Sequence, residues 1–207
     1  EYTELPVELH DLMGQLSLVN MLYAEAASTG SRAALREALE IDSTYAPALY
    51  ELASQIMEGG KNDDEAIALA RKAYLSDTTS RWYTSLYAQT MIVASRLDEA
   101  LPIYTRLLRM DSRNPDVYRI LAILYQQRQQ PFSAIAVLDS ADMRLGKIPY
   151  LAELKRHLLV STHQYDRAIE EAQQVIEAVP YEQNNHLTLA ETYAAAGRDS
   201  LARAKFK

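Results

Sequence analysis

Residues 115–143 carry the sequence PDVYRILAILYQQRQQPFSAIAVLDSADM, in which two segments with helical spacing flank a polar stretch. The polar stretch ends at Pro131, and Ala134, Leu138 and Ala141 then share one face of a second segment. In the first segment, bulky or small apolar residues occupy positions i, i+3, i+4 and i+7, the spacing of one face of an α-helix. We therefore predict two helices joined by a tight turn. The first-helix positions are Tyr118, Leu121, Ala122 and Tyr125.

The second helix belongs to a pattern that repeats along the chain. An alanine recurs every 34 residues, often after an acidic pair such as Asp64-Glu65 or Asp98-Glu99. A second small residue precedes this marker alanine by twelve or thirteen positions in four of the units. A fixed period of this size indicates stacked supersecondary units. The marker alanines are Ala66, Ala100, Ala134, Ala168 and Ala202, and the earlier small residues are Ala53, Ala88, Ala122 and Ala190.

This pattern resembles the tetratricopeptide repeat family. The resemblance covers residues 46–207 well and residues 12–45 less closely. It implies an all-α fold, a right-handed superhelix (solenoid) of about five to six stacked antiparallel helix pairs, with the first helix of each pair on the concave wall. It rests on Leu121-Ala122-x-x-Tyr125 with Ala134, Leu189-Ala190-x-x-Tyr193 with Gly197 and Ala202, and Leu52-Ala53 with Asp64-Glu65-Ala66.

We predict a single superhelical domain over residues 1–207. Its last unit lacks most of a second helix and the polar cap that solenoids require, so we expect the protein to continue past Lys207, or the final helix to be frayed or covered. The chain begins without Met, so we also expect upstream residues to have been removed. The predicted units are residues 6–45, 46–80, 81–114, 115–148, 149–182 and the truncated 183–207.

One unit departs from the pattern at its first helix. Lys155 and Arg156 stand 34 residues after Leu121 and Ala122, where the resemblance requires a leucine and a small residue. Either that helix is rotated or the superhelix bends there. A rotation would direct a coherent stripe of leucines inward, and we expect that outcome. The stripe is Leu151, Leu154 and Leu158.

Composition narrows the classes of function. A net charge of −7 argues against a nucleic-acid-binding protein, which needs clustered lysine and arginine. No apolar run approaches the roughly 18–20 residues of a membrane span. The chain has no cysteine, so it offers no disulfide and no evidence of redox compartment. Localisation therefore stays open between the cytoplasm and, if a signal peptide was removed upstream, an exported or periplasmic site.

The residues do not form a recognisable catalytic or metal-binding motif. The four histidines, at 10, 157, 163 and 186, have no chelating spacing. The segment Glu58-Gly59-Gly60-Lys61 lacks the spacing of a nucleotide-binding loop. No serine lies in a nucleophile turn. We therefore expect a protein that is not an enzyme and has no cofactor or metal.

The resemblance also indicates where a partner would bind. The non-core face of each first helix would line the concave groove, and it includes aromatic and arginine side chains of the type found at binding hot spots. A lone Arg119 does not make the carboxylate clamp of the chaperone-adaptor subclass, so a peptide with apolar side chains fits better. The principal candidates are Asn20, Tyr23, Tyr50, Met57, Trp82, Gln89, Arg119, Gln126, Tyr150 and His157; Ser54, Ser85, Ile123, Glu153, Leu187, Glu191 and Ala194 share that face.

Three functions remain open. The first is a non-catalytic scaffold, of a type expected in bacteria, that binds a protein or peptide within a larger protein or complex. The second is a regulatory or targeting arm of an enzyme whose catalytic domain lies outside this chain. The third is a structural module that self-associates through Leu201 and Phe206 of the uncapped last unit.

Overall fold

A computed structural model describes residues 7–59 and 64–205. The chain divides into two compact units, of which unit 1 ends at Ile103 and unit 2 begins at Tyr104. The described residues are helical apart from short turns, which confirms the predicted all-α class. Whether the chain is one domain with the six predicted repeats stays a prediction.

Unit 1 is a series of antiparallel helix pairs. Each helix from α1 to α4 packs against the next one along the chain, and the first helices α3 and α5 also touch. Leucines and alanines that are almost fully buried, such as Leu35, Ala38 and Leu52, form its core. The helices are α1 (Val7–Thr29), α2 (Arg32–Ile41), α3 (Ala46–Met57), α4 (Asp64–Ser76), α5 (Arg81–Val93) and α6 (Leu97–Met110), within which the division between units falls.

Unit 2 repeats the same arrangement. Sequential helices from α7 to α12 pack in pairs, and the first helices α7 and α9 touch. Tyr118, Leu138 and Leu159 lie in a core cluster that spans α7 to α10. A smaller cluster joins α10, α11 and α12. The helices are α7 (Pro115–Gln127), α8 (Pro131–Leu145), α9 (Pro149–Ser161), α10 (Tyr165–Ala178), α11 (Gln183–Ala195) and α12 (Asp199–Lys205).

Several helices begin at capping residues or prolines. Ser31, Ser80 and Asn114 each accept a hydrogen bond from a backbone N–H in the first turn of α2, α5 and α7. Prolines occupy the first turn of α7, α8 and α9, where a missing N–H costs nothing because it would have no partner. Asn114 and Pro115 together form such a start for α7.

The turn between the two helices of a pair has the same backbone conformation in four successive repeats. Ser95, Gln129, His163 and Gly197 have φ values of 58°, 59°, 60° and 70°, and they are spaced 34 residues apart. In each case the next residue donates its N–H to a carbonyl five residues back, as Arg96 does to Met91. This left-handed helix ending satisfies free carbonyls. Gly197 adopts this conformation without strain because glycine has no Cβ, and Gly60 lies outside the described residues.

The marker alanines are the contact points of the helix pairs. Ala66, Ala100, Ala134 and Ala168 are fully buried, and Ala202 is 4% exposed. The partner small residues are also 0% exposed. Because neither side chain extends past Cβ, the two helix axes approach closely. These partners are Ala53, Ala88, Ala122 and Ala190.

The expected rotation of α9 is wrong. Lys155 and Arg156 are both 6% exposed, so they occupy the same buried positions as Leu121 and Ala122 one repeat earlier. Leu151 and Leu158 are also buried, but within the unrotated register. The helix keeps its register because both cations have carboxylate partners inside unit 2, which removes the penalty for burying an unpaired charge.

We expect Ala134→Leu to lower the free energy of unfolding by about 1–3 kcal/mol. Ala134 is fully buried in the unit 2 core cluster, so the larger side chain would force α7 and α8 apart. Denaturant unfolding followed by circular dichroism measures the change. The control is Glu170→Ala on the exposed face of α10, which should change stability by less than about 0.5 kcal/mol. Equal stability of the two variants would mean that the helix pairing is misassigned.

Candidate functional site

In unit 1, two predicted binding residues belong to a cluster of tyrosines. Tyr23 and Tyr45 meet edge to face with ring centroids 5.7 Å apart, and Tyr50 and Tyr83 lie 5.6 Å apart. The Tyr45 hydroxyl donates to Asn20 Oδ1 at 2.8 Å, which brings a third predicted residue to the cluster. Burial and the neighbouring tyrosines Tyr23, Tyr45 and Tyr50, with Asp77, raise the pKa of Tyr83. We call Tyr23, Tyr45, Tyr50 and Tyr83 the tyrosine cluster.

The other predicted residues of unit 1 differ in exposure. Trp82 is 63% exposed at the start of α5, and the Arg81 guanidinium lies 5.1 Å from its ring centroid. Gln89 is exposed and its Nε2 lies 3.5 Å from Ser85 Oγ. Met57 packs against the core of unit 1. Its main contribution is therefore to packing, whereas Trp82 presents a large ring to solvent.

In unit 2, Arg119 and Tyr150 lie on the neighbouring first helices α7 and α9. Arg119 Nε is 3.2 Å from Asp116 Oδ1, so this cation is paired within its own helix. Tyr150 is 44% exposed; burial and Asp116 raise its pKa, and Arg119 opposes them. Burial raises the pKa of Tyr104 to about 12, although the positive charge of Arg119 acts to lower it.

Two predicted residues of unit 2 take no part in this group. Gln126 is exposed near the end of α7. The His157 side chain is 65% exposed, and its Nε2 lies 2.8 Å from Glu153 Oε1. Neither residue lines a cavity described below.

A cavity of about 270 Å³ opens between α9, α10 and α11. We call it the α9–α11 pocket. It contains Tyr150 and Glu153, two of the residues predicted for the binding face. Its other lining residues come from the second helix α10 and from the start of α11. They are Pro149, Ala152, Arg156, Glu171, Ala172, Val175, Glu182, Asn184, Asn185 and Thr188.

At three positions the pocket wall carries a smaller side chain than the residue 34 positions earlier in the chain. Tyr118, Leu138 and Leu151 are buried together in the core of unit 2. The residues 34 positions later are smaller, and all three line the pocket. Close packing leaves few voids in a protein interior, so this loss of volume opens a cleft at the surface. The smaller counterparts are Ala152, Ala172 and Asn185.

Ion pairs form the charged part of the pocket wall. Arg156 binds both carboxylate oxygens of Glu153, at 2.5 and 3.0 Å, and its Nη1 donates to Thr192 at 3.3 Å. These hydrogen bonds from Arg156 lower the pKa of Glu153. Glu171 accepts from Lys147 at 2.5 Å and from Lys155 at 2.8 Å. The charges of Arg156 and Glu171 are thus committed within the protein.

Lys155 lies at the centre of a buried cluster beside the pocket. Its Nζ is 2.7 Å from Asp139, 2.6 Å from Asp142 and 2.8 Å from Glu171. Burial alone would lower the pKa of Lys155, but hydrogen bonds to the three carboxylates raise it overall. Lys147 also pairs with Asp142, at 2.6 Å. The ammonium group stays charged, so the cluster holds α8, α9 and α10 together.

The mouth of the pocket carries polar groups without partners. Within residues 7–59 and 64–205, the side chains of Glu182, Asn184 and Thr188 make no hydrogen bond or ion pair. Asn185, by contrast, donates to the Val179 carbonyl at 3.1 Å. Glu182 precedes α11 and does not cap it with its side chain. These groups are available to a ligand.

Sequence reasoning missed the pocket and half of the tyrosine cluster. The pocket had a signal in the sequence, since units 115–148 and 149–182 differ by two large-to-small changes at core positions, and units 149–182 and 183–207 by a third. Tyr45 also had a signal in the sequence. It stands at the N-cap position of α3, where the corresponding residues of α5 and α7 are the polar Ser80 and Asn114. Tyr83 had none.

The described part of the chain contains no cluster of three or more histidine, aspartate or glutamate side chains that could hold a metal ion. Over the same residues, no helix combines the length and apolar character needed to cross a membrane. The exposed Leu201, at 46%, is the described half of the predicted self-association contact, and Phe206 lies outside the described residues.

Comparison with known proteins identifies the repeat. Residues 91–158 match the tetratricopeptide repeat family, across a turn with the recurring left-handed ending. Residues 91–158 therefore carry tetratricopeptide-repeat sequence. No curated protein matches the chain. Tetratricopeptide repeats are a protein-interaction scaffold in general, and this chain has their fold.

Solved tetratricopeptide repeat structures share the fold over most of this chain. A tetratricopeptide repeat protein from Parabacteroides merdae is 18% identical with a TM-score of 0.67, covering 93% of this chain and 77% of its own. YrrB, described as having an unusual peptide-binding site, is 19% identical with a TM-score of 0.64, covering 84% and 90%. Pseudomonas aeruginosa pilF is 19% identical with a TM-score of 0.62, covering 93% and 90%. Likeness at these identities establishes the fold alone.

Proposed function

We propose that this tetratricopeptide repeat protein is a non-catalytic scaffold that binds a peptide segment of a partner on the exposed faces of its first helices. The α9–α11 pocket is the observation that carries the proposal. It is a concave site beside the exposed Tyr150, on the helix face where the resemblance places ligands. At about 270 Å³ it accepts one side chain of a partner, below the usual size of a cofactor site.

The exposed side chains on the first helices support the same function. Trp82 and Tyr150 present large rings to solvent, and Arg119 lies on the first helix next to that of Tyr150. Tryptophan, tyrosine and arginine carry most of the energy at protein interfaces. Their rings supply contact area at low entropic cost because each has few rotatable bonds. YrrB, with the same fold, is described as binding a peptide, which adds support by analogy.

We expect Trp82→Ala and Arg119→Glu each to weaken binding of a partner peptide at least about tenfold, the effect of losing a hot-spot residue. A pull-down with the full-length protein from its own cells first identifies a partner. Peptides that tile the partner then define the bound segment. Fluorescence anisotropy with the best peptide measures the affinity of each variant.

The control for this measurement is Phe132→Ala, because Phe132 is 68% exposed, lies on the second helix α8 and does not line the α9–α11 pocket. It should bind as the wild type does. Thermal melts of all three variants should match the wild-type melt, since the substituted side chains lie at the surface and outside the buried core. Unchanged peptide binding by both test variants would contradict binding on the first-helix faces. An enzyme arm and self-association stay predictions without a supporting contact among the described residues.

A further inference from the structure

The α9–α11 pocket has walls suited to a long aliphatic stem. Pro149, Tyr150, Ala152, Ala172 and Val175 contribute its apolar surface. Ala152 and Ala172 are almost fully buried, whereas Tyr150 is nearly half exposed, so the apolar wall runs from the floor to the mouth. A side chain that enters would bury methylene groups first and leave its polar end near the opening.

The charges of the pocket favour a positively charged end. Three carboxylates line it, those of Glu153, Glu171 and Glu182, against one cation, Arg156. Arg156 is bound to Glu153 and Thr192, and Glu171 is bound to two lysines. In the described part of the chain, Glu182 is therefore the one lining carboxylate without a cation. An anionic group would be repelled by the Glu182 carboxylate. It would also find no unpaired cation in the described pocket wall, because Arg156 is bound to Glu153 and Thr192.

We propose that the α9–α11 pocket binds an arginine or lysine side chain of the partner, an inference that rests on the proposed peptide-binding function. The aliphatic stem packs on Ala152, Ala172 and Val175. The cationic head lies at the mouth between the Glu182 carboxylate and the Asn184 side-chain oxygen. The Tyr150 ring at the same mouth adds a cation–π contact. Arginine fits this mouth better, because its planar head can stack on the ring while it donates hydrogen bonds.

The test uses small probes and the whole ¹⁵N-labelled chain. N-acetyl-arginine amide, the corresponding lysine, citrulline, leucine and tyrosine amides are each titrated while backbone amide shifts of residues 182–188 are followed by NMR. Citrulline has nearly the shape of arginine without its charge. We expect arginine to bind with a roughly millimolar dissociation constant, as ligands of this size do. Citrulline should bind about fivefold more weakly, the loss of one partly exposed ion pair.

Variants assign the effect to the pocket. Glu182→Gln should bring the affinity for the arginine probe down to that for citrulline. Glu177→Gln, which removes an exposed carboxylate of α10 outside the pocket, should leave it unchanged. Ala152→Leu restores bulk at the floor and should abolish the shifts for every probe. If Ala152→Leu does not fold, the citrulline comparison and Glu182→Gln still decide.

The outcomes separate this inference from the proposed function. Tighter binding of leucine or tyrosine than of arginine would overturn the cationic preference and leave peptide binding at the pocket in place. Equal binding of arginine and citrulline would also overturn it. So would the absence of arginine shifts up to about 50 mM, well above the affinity expected of such a fragment. Failure of the proposed function would appear instead as unchanged partner binding by Trp82→Ala and Arg119→Glu.

Discussion

We expect the Lys155→Leu variant to unfold with a free energy about 3–5 kcal/mol lower than that of the wild type, the cost of breaking a buried ion pair. The Lys155 side chain is 8% exposed and its ammonium lies within 2.8 Å of Asp139, Asp142 and Glu171. Leucine would leave the 4%-exposed Glu171 carboxylate with Lys147 as its remaining ion-pair partner inside unit 2. Urea unfolding followed by circular dichroism measures the change.

A double variant tests whether the cost comes from the unbalanced charge. Leu121 and Val137 occupy the positions of Lys155 and Glu171 one repeat earlier. Lys155→Leu with Glu171→Val therefore restores an apolar pair that the fold already accepts. Asp142 keeps Lys147 and Asp139 keeps Arg167. We expect the double variant to be within about 1 kcal/mol of the wild type or more stable, because a well-packed apolar pair can replace a buried ion pair.

Two outcomes would contradict this reading of the cluster. A loss of less than about 1 kcal/mol in Lys155→Leu would match an exposed ion pair, not a buried one. Strict additivity of the two single losses in the double variant would mean that Lys155 and Glu171 are not coupled. Equal urea dependence of the free energy in all variants is required for the comparison, since a changed slope signals a changed denatured state.

The second large effect is expected at Tyr118. Tyr118→Ala should lower the free energy of unfolding by about 3–5 kcal/mol, the usual cost of removing a large aromatic side chain from a core. Tyr118 is fully buried among the helices of unit 2, and its hydroxyl donates to the Ser112 carbonyl at 3.0 Å. The substitution removes the ring and leaves that carbonyl without this donor. Chemical denaturation and the thermal midpoint both report the loss.

Tyr181→Ala is the matched control, because Tyr181 is a tyrosine that is 97% exposed. It should change stability by less than about 0.5 kcal/mol. A second comparison uses Tyr118→Phe, which keeps the ring and removes the hydrogen bond, and should cost about 1 kcal/mol. A Tyr118→Ala loss as small as that of Tyr118→Phe would show that the ring does not fill the core at this position.

The helix pairs were predictable because they depend on local spacing. The marker alanine Ala134 and its partner Ala122 identify two small residues that must face each other, and both are fully buried. The left-handed turn at Gly197 was predictable from glycine alone. The same turn at Ser95, Gln129 and His163 was not predictable, because a positive φ is uncommon at residues other than glycine.

The parts that depend on partners distant in sequence could not be predicted. Lys155 was expected to rotate away from the core, and its burial requires carboxylates on α8 and α10 that no local pattern connects to it. The contact between Tyr50 and Tyr83 joins residues in different repeats, and it depends on how the helices stack. The exposure of Trp82 and Tyr150 agrees with their expected place on the first-helix faces, while their role in binding stays a prediction.

If all repeats of an array were identical, each would offer the same surface, and a ligand would bind to each with the same affinity. Ala152, Ala172 and Asn185 break that equivalence where the 149–182 unit meets the unit that follows it. A binding site can therefore form where core side chains of one repeat are smaller than those of its neighbour, without any new loop or domain. Positions where one repeat is smaller than its neighbours then become a guide to where related arrays hold their own ligands.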